Sequence, residues 1–358
     1  MTSFWNGKRV LITGNTGFKG SWLSLWLHKL GAEVIGYSLQ PPSNPNLFET
    51  INLKEKIIAI RGDIMDSATL ANIFEKYKPE IVFHLAAQSL VRKSYAEPFE
   101  TFNTNIMGTV NVFDTIRRSK SVKVVINVTS DKCYENREWN WGYRENESMG
   151  GHDPYSCSKG CSELITNSYR KSYFNEQNVY LASSRAGNVI GGGDWADDRL
   201  IPDIIKFLSN NQRPIIRNPY AIRPWQHVLE PLSGYMILAE KMWECGHKYA
   251  EGWNFGPEND SMITVSEVAN QLVSLWGMNG EVVCDRDTNK QFHEAQFLNL
   301  DCSKAKYKLG WSPKLTIKQT LEWTIDWYKA FENNVDMQRC SLSQIENYEK
   351  LRSNRNGL

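Results

Sequence analysis

The sequence predicts an α/β protein: a doubly wound parallel sheet of the Rossmann type with a smaller mixed α/β lobe toward its C-terminus. Three observations carry this expectation. Short apolar runs alternate with amphipathic stretches through the first half of the chain. Most of these runs are continuous Val/Ile/Leu, as strands covered by helices on both faces require. A glycine-rich turn, "TGNTGFKG", joins the first run to the first helical stretch.

In order, the expected strands lie at 9–14, 32–39, 57–64, 80–87, 122–130 and 179–191. Helical stretches fall between them near 17–30, 66–77, 99–118 and 153–174, the alternation expected of right-handed β-α-β crossovers. After residue 190 the texture changes. "GGGDWADDRLIPD" reads as a loop entering a short helix, and "IIRNPYAIRPWQHVLE" as two strand pieces split by proline. Further helices are expected near 231–246, 264–276 and 316–333, the last two surrounding "VVCDRD". Residues 1–190 thus read as the dinucleotide-binding domain. Residues 191–340 read mainly as a substrate lobe with segments returning to the first domain, and 341–358 as a polar surface helix or tail.

Bulk properties narrow the class. Over 358 residues, 41 Lys and Arg against 40 Asp and Glu give a net charge of +1. No global field is available to collect nucleic acid or an anionic membrane. The chain shows no apolar run of about 18 residues and no signal-peptide core, so a cytosolic protein is expected. Seven cysteines without a CxxC pair fit reduced thiols. Cys157 and Cys161 make only a weak CxxxC signal, and no metal is expected.

The glycine turn is the first candidate site. Gly14, Gly17 and Gly20 let the turn tighten, the backbone approach a pyrophosphate and the helix pack on the strand, while the helix N-terminus offers unpaired N–H groups. NAD is the expected cofactor. NADP stays open, because Tyr37 and Ser38 stand where a ribose-binding carboxylate belongs and no arginine replaces it. Asp63 can meet the adenine amino group or serve a turn, and Asp66 is the better helix cap. The second candidate is "YSCSK". Tyr155 and Lys159 share one helical face, where an ammonium favours the phenolate and lowers the tyrosine pKa. Ser130 ends the preceding strand in "VTSDKCY".

"TGNTGFKG", "GDI", "HLAAQ", "TNIMGT", "TSDKCY" and "YSCSK" occur in the order seen in extended short-chain dehydrogenases/reductases, and the resemblance covers residues 8–330. Within that family, "SDKCYENREW", "GNVIGGGDWADDRLIPD" and "RNPYAIRPWQHVLEPLSGY" resemble the nucleotide-sugar 4,6-dehydratases. The resemblance implies NAD-dependent, redox-neutral loss of water from a nucleoside-diphosphate hexose. It favours CDP-glucose and implies a deoxysugar for bacterial surface polysaccharide. Ser130, Tyr155 and Lys159 would serve oxidation at C4, with Asp131 as acid and Lys132 as base or enolate stabiliser. Many relatives carry a pair ending in Glu at 131–132, so Lys132 is a departure. Thr16, Phe18, Ile64, Leu85, Ala86, Ala87 and Asn105 complete the cofactor set, Asn105 more as a brace of the backbone. Gln88, Ser89, Asn188, Arg199, Arg217, Arg223 and His227 are the expected substrate contacts. The family also implies a homo-oligomer, a dimer or a dimer of dimers, with the helices near 99–118 and 153–174 as the candidate interface. Rival readings are a 4-epimerase, which has no use for an acid and base at 131–132, and a cofactor sensor, which has no use for the Tyr/Lys pair.

Overall fold

A computed structural model describes residues 2–280, 282–284 and 297–353. Its centre is a seven-stranded parallel sheet. Six strands are β1 (Arg9–Thr13), β2 (Glu33–Ser38), β3 (Ile58–Arg61), β4 (Ile81–His84), β5 (Val124–Val128) and β6 (Tyr180–Arg185); the seventh is Gly252–Asn254. The order across the sheet is Gly252–Asn254, β6, β5, β4, β1, β2, β3. The chain leaves β1 in one direction and later resumes on its other side at β4. That reversal opens a crevice at the strands' C-terminal ends, where ligands of such sheets bind.

Side chains alternate across each strand, so each strand feeds two cores. Val10 and Ile12 join Val34, Phe83 and Ile126 on one face; Leu11 joins Ile35, Val82 and Val125 on the other. Helices Ser67–Tyr77 and Gly108–Arg118 cover the second face through Leu70, Phe74, Val112 and Phe113. Asp66 caps the first of these by accepting from Thr69 N, as expected. The helix Phe18–Lys29 lies between the first face and a further helix, which is why Trp22 through Leu27 are buried almost all round.

That further helix decides between the two readings of the C-terminus, a helix rather than a tail, and it is docked on one face. Residues Met337–Ser353 form a docked helix with Met337, Ser341, Ile345 and Tyr348 buried. Glu349 accepts from Trp26 Nε1 at 2.8 Å and pairs with Lys29 at 2.7 Å. The polar residues that made the segment look like a tail face outward or close these bonds.

Two further expectations need adjusting. The run at 179–191 splits into β6 and a short strand Val189–Ile190, which pairs with Gln226–His227. Ile222–Pro224 pairs with Met262–Thr264, and Ile215–Ile216 with Val283–Cys284. The end of "VVCDRD" lies outside the described residues. The second lobe also returns to the first, as its strand Gly252–Asn254 completes the sheet beside β6. Among the described residues, no helix is long and apolar enough to cross a membrane.

Glu230, in helix Leu229–Cys245, fastens the lobe. One carboxylate oxygen accepts from Lys314 N and Leu315 N, each at 2.7 Å, and the other from the Tyr348 hydroxyl at 2.6 Å. Burial pushes its pKa from 4.5 up to about 7, against those three donors. A carboxyl that binds its proton more tightly when folded favours the folded state at low pH. Its contribution is complete below about 4.5 and falls away as pH rises to about 7. Glu230→Gln removes the titration and keeps an acceptor for the two backbone donors. Urea unfolding should show wild-type stability falling relative to the variant between pH 4.5 and 7; identical pH slopes would contradict this.

Candidate active site

The crevice is a cavity of about 2020 Å³ into which both lobes contribute side chains. Its floor is set at the junction of β1 and β4. Thr13 pairs in register with His84, and its Oγ1 lies 2.7 Å from His84 Nδ1. Burial brings His84 down to about 3, so it is a neutral structural histidine. Gly14 follows with φ +77°, and a Cβ there would stand 2.7 Å from Ala86 N. A Cβ on Gly20 would overlap the Gly14 carbonyl. Gly17 instead has room for a Cβ, in ordinary contact with Gly14 O at 3.4 Å, and lies at the N-terminus of its helix. The turn therefore has the close strand–helix contact and exposed backbone of a dinucleotide cradle. A dinucleotide fits these residues.

Thr16, Phe18, Asp63, Ile64, Leu85, Ala86 and Ala87 line the same cavity. Asp63 also serves a turn, accepting from Met65 N at 2.9 Å. The end of β2 has no carboxylate: Ser38 bonds Asn15, and the Tyr37 hydroxyl bonds Asp63 O. The Arg61 guanidinium is turned to Leu39 O and the Phe48 ring. Asn105 does not line the cavity. It accepts from Gln88 N and donates to Gln88 O and Ser158, so it braces the backbone beside the cofactor region.

At the end of β5 the chain makes one short turn, Asp131–Cys133. Ser130 starts it, accepting from Lys132 N at 3.2 Å and donating to Asp131 Oδ1 at 3.0 Å. Asp131 is 1% exposed, and its Oδ2 has no hydrogen-bond partner among the described residues. Lys132 is 31% exposed, with Nζ 3.8 Å from Asp131 Oδ1. The polar crowding after an apolar strand thus becomes a buried carboxyl beside a reachable ammonium.

Tyr155 and Lys159 stand opposite on helix Pro154–Tyr169, which is capped by Asp153. The expected lowering of the phenol pKa is not found. Burial pushes Tyr155 up to about 12, with the Ser130 hydroxyl and the Arg199 charge pulling the other way. Lys159 points instead to Val128 O at 3.3 Å, and burial lowers it to about 8 while Glu163 raises it. Desolvation outweighs the helical neighbour.

The substrate candidates divide. Asn188 lines the cavity with its Nδ2 buried and unbonded among the described residues. Arg199 reaches Asp194 at 2.9 Å and Ser89 at 3.0 Å. Arg217 and Arg223 also line the cavity. Gln88 lines it too, but its amide is turned to Leu90 and Thr101. His227 is a correction. It is fully buried, outside the cavity lining, packed edge-on against Trp22 and Trp323, and lowered by burial to about 3. Its strand pairs with Val189–Ile190 and turns the ring inward.

Sequence reasoning missed Lys19, Gly187 and Arg92. Lys19 is carried by the glycine turn and faces the cavity, where desolvation and then Arg199 bring it down to about 8. Gly187 touches Asp131, and Arg92 begins a short helix after β4. A lone lysine, glycine or arginine carries no spacing signal. Among the described residues, no group of His, Cys, Asp or Glu could hold a metal ion.

A dinucleotide cradle facing Ser130, Tyr155 and Lys159 is the arrangement of the extended short-chain dehydrogenases/reductases, the class to which the motifs pointed. Within that class the chain belongs to the family described as GDP-mannose 4,6 dehydratase, whose model matches residues 11–324. It is 54% identical over 351 residues to the CDP-glucose 4,6-dehydratase of Salmonella typhimurium, covering 97% of both chains. The dTDP-glucose 4,6-dehydratase of Haemophilus influenzae is 26% identical, with 89% of this chain and 97% of that one covered. Among solved structures, the UDP-glucose 4-epimerase of Thermotoga maritima with UDP-glucose superposes with a TM-score of 0.79 at 23% identity, covering 90% and 99%. The dTDP-glucose 4,6-dehydratase of Bacillus anthracis in complex with NAD gives 0.76 at 22%, covering 93% and 100%. Both structural likenesses speak to fold.

A Cβ on Gly187 would overlap the Asp131 carboxyl. Gly187→Ala should therefore keep the fold but move this group, costing about 100-fold in turnover. Circular dichroism with steady-state kinetics checks it; full activity in the variant would contradict the assigned position.

Proposed function

We propose that the protein catalyses the NAD-dependent 4,6-dehydration of CDP-glucose to CDP-4-dehydro-6-deoxyglucose and water, a precursor of surface deoxysugars. The observation that carries this reading is the buried Asp131 beside Lys132, in one cavity with Ser130, Tyr155 and a dinucleotide cradle. The near full-length likeness to a relative of that name supports it. An epimerase needs no such pair.

Bound NAD supplies a hydride acceptor at C4 and, later, a hydride donor at C6, so the reaction is redox-neutral. Tyr155 takes the proton of the 4-hydroxyl while Ser130 donates to the 4-oxygen. With its pKa pushed up to about 12, Tyr155 takes that proton only as the phenolate, which positive charge beside it favours. Arg199 already acts in that direction, and Lys159, one turn along the helix, is assigned the same role once its Nζ turns from Val128 O. The 4-ketone acidifies the C5 proton, which Lys132 removes as base or whose enolate its ammonium stabilises, and C5 is reprotonated at the end of the sequence. Asp131 serves as the acid that protonates the 6-hydroxyl, which leaves as water.

Location and assembly extend the reading. All seven cysteines are free, in keeping with a reducing cytosol. Phe99, Met107, Leu164 and Tyr173 are exposed on helical segments near 99–118 and 153–174. Their burial against the same face of a second copy would form a homodimer. Sedimentation of Leu164→Glu should then show monomers; a dimer of wild-type strength would remove this interface.

Lys132→Met tests the elimination step. With CDP-glucose in deuterated water, the variant should still oxidise C4 but lose C5 exchange and water release by at least about 100-fold. Unchanged elimination, read as the alkaline absorbance of the 4-keto product, would contradict the role of Lys132.

A further inference from the structure

We propose that Arg92 and Arg217 form a two-arginine clamp for the substrate's diphosphate, and that Asp198 occupies this clamp until the diphosphate displaces it. The inference rests on the nucleotide-sugar reading above and assigns it a residue, Arg92, that no motif singled out.

The geometry is specific. Asp198 Oδ1 lies 3.4 Å from Arg92 Nη1 and 3.1 Å from Arg217 Nη1. The three side chains come from separate parts of the chain, all lining the cavity. Arg92 is on the short helix Val91–Ala96 after β4, Asp198 on the loop before helix Leu200–Ser209, and Arg217 just past Ile215–Ile216. Two guanidinium groups sharing one oxygen repel each other and need an anion between them. Other acidic side chains of the loop are engaged elsewhere: Asp194 with Arg199, and Asp197 with Lys206.

Asp203 Oδ2 adds a longer contact, 4.0 Å from Arg217 Nη2; the carboxylate shared by both arginines is that of Asp198. It brings one negative charge, and a single oxygen serves both arginines. A diphosphate brings two charges and enough oxygens for each guanidinium to bind in its own bidentate fork. Arg92 and Asp198 are each about a third exposed, so the exchange is open to solvent. Arg199, likewise about a third exposed, bonds Ser89 and lends its charge to Tyr155. Arg199 thus serves the part of the cavity near Tyr155, and the clamp is assigned to the phosphates attached to C1 of a hexose whose C4 faces Tyr155.

Opposite signs distinguish the clamp from a structural tether. Calorimetric titration of the NAD-loaded, full-length protein with CDP, and separately with cytidine, is compared for wild type, Arg92→Gln and Asp198→Asn. Arg92→Gln should weaken CDP binding about tenfold and leave cytidine unchanged, with its kinetic effect falling on KM more than on kcat. Asp198→Asn should tighten CDP about threefold or more by removing the competitor. Arg92→Lys, which keeps the charge and loses the fork, should fall between wild type and Arg92→Gln. If Arg92 only tethers the loop, both variants break the same ion pair and shift CDP affinity in the same direction, which overturns the proposal. Unchanged CDP affinity in Arg92→Gln overturns it as well. UDP and dTDP are run in parallel: opposite shifts on one of these, with no CDP binding, uphold the clamp and reject the CDP assignment.

Discussion

The active site depends on one buried ion pair. Glu163 and Arg185 meet through two parallel contacts of 2.9 and 2.7 Å beneath the catalytic helix, both nearly inaccessible to solvent. Burial is the largest effect on Glu163 and raises it, but the charge and hydrogen bonds of Arg185 together with those of Ser183 and Thr129 hold the carboxylate below its usual range; Glu163 in turn keeps the guanidinium well above its own. Thr129 and Ser183 also donate to Glu163, while Arg185 donates to the Tyr134 hydroxyl and Glu145 O. Tyr134 passes the connection to Asn254. One charge pair thus joins the end of β5, β6, the seventh strand and helix Pro154–Tyr169. Losing either partner would strand a buried charge, at a cost of about 3–5 kcal/mol.

Its position matters as much as its strength. Tyr155, Lys159 and Glu163 repeat every fourth residue, so they form one stripe along a single helical face. Anchoring Glu163 against two strands fixes the rotation of that stripe, and hence the direction in which Tyr155 faces Ser130. On the other side, Asn105 ties Gln88 to Ser158 of the same helix. The groups proposed for oxidation and elimination are then held from two rigid elements, the end of β5 and this helix. The substrate-facing arginines sit on loops and short segments, which can adjust as a nucleotide enters.

Much of the fold was legible because it is written in local pattern. Continuous apolar runs marked β1 to β6, and glycines at 14, 17 and 20 marked the turn. The spacing of Tyr155 and Lys159 placed them together on a helix. What stayed illegible depends on long-range packing. His227 looked available in "RPWQH" but turns inward, because its strand pairs with Val189–Ile190. The C-terminal helix looked polar because Glu349 and Tyr348 find partners some 120 to 320 residues away. The Tyr155 pKa depends on how fully the phenol is buried, which spacing does not reveal. Gly187 and Arg92 gain meaning only from Asp131 and Asp198, each brought to them by the fold.

The central claim is that a single cavity oxidises, dehydrates and reduces the same sugar without releasing it. Incubation with CDP-glucose carrying deuterium at C4, followed by mass and NMR analysis of the product, tests this most directly. The account predicts deuterium in the C6 methyl group of the 4-keto product, delivered within one molecule. Deuterium lost to solvent, or a product whose methyl group carries none, would contradict it.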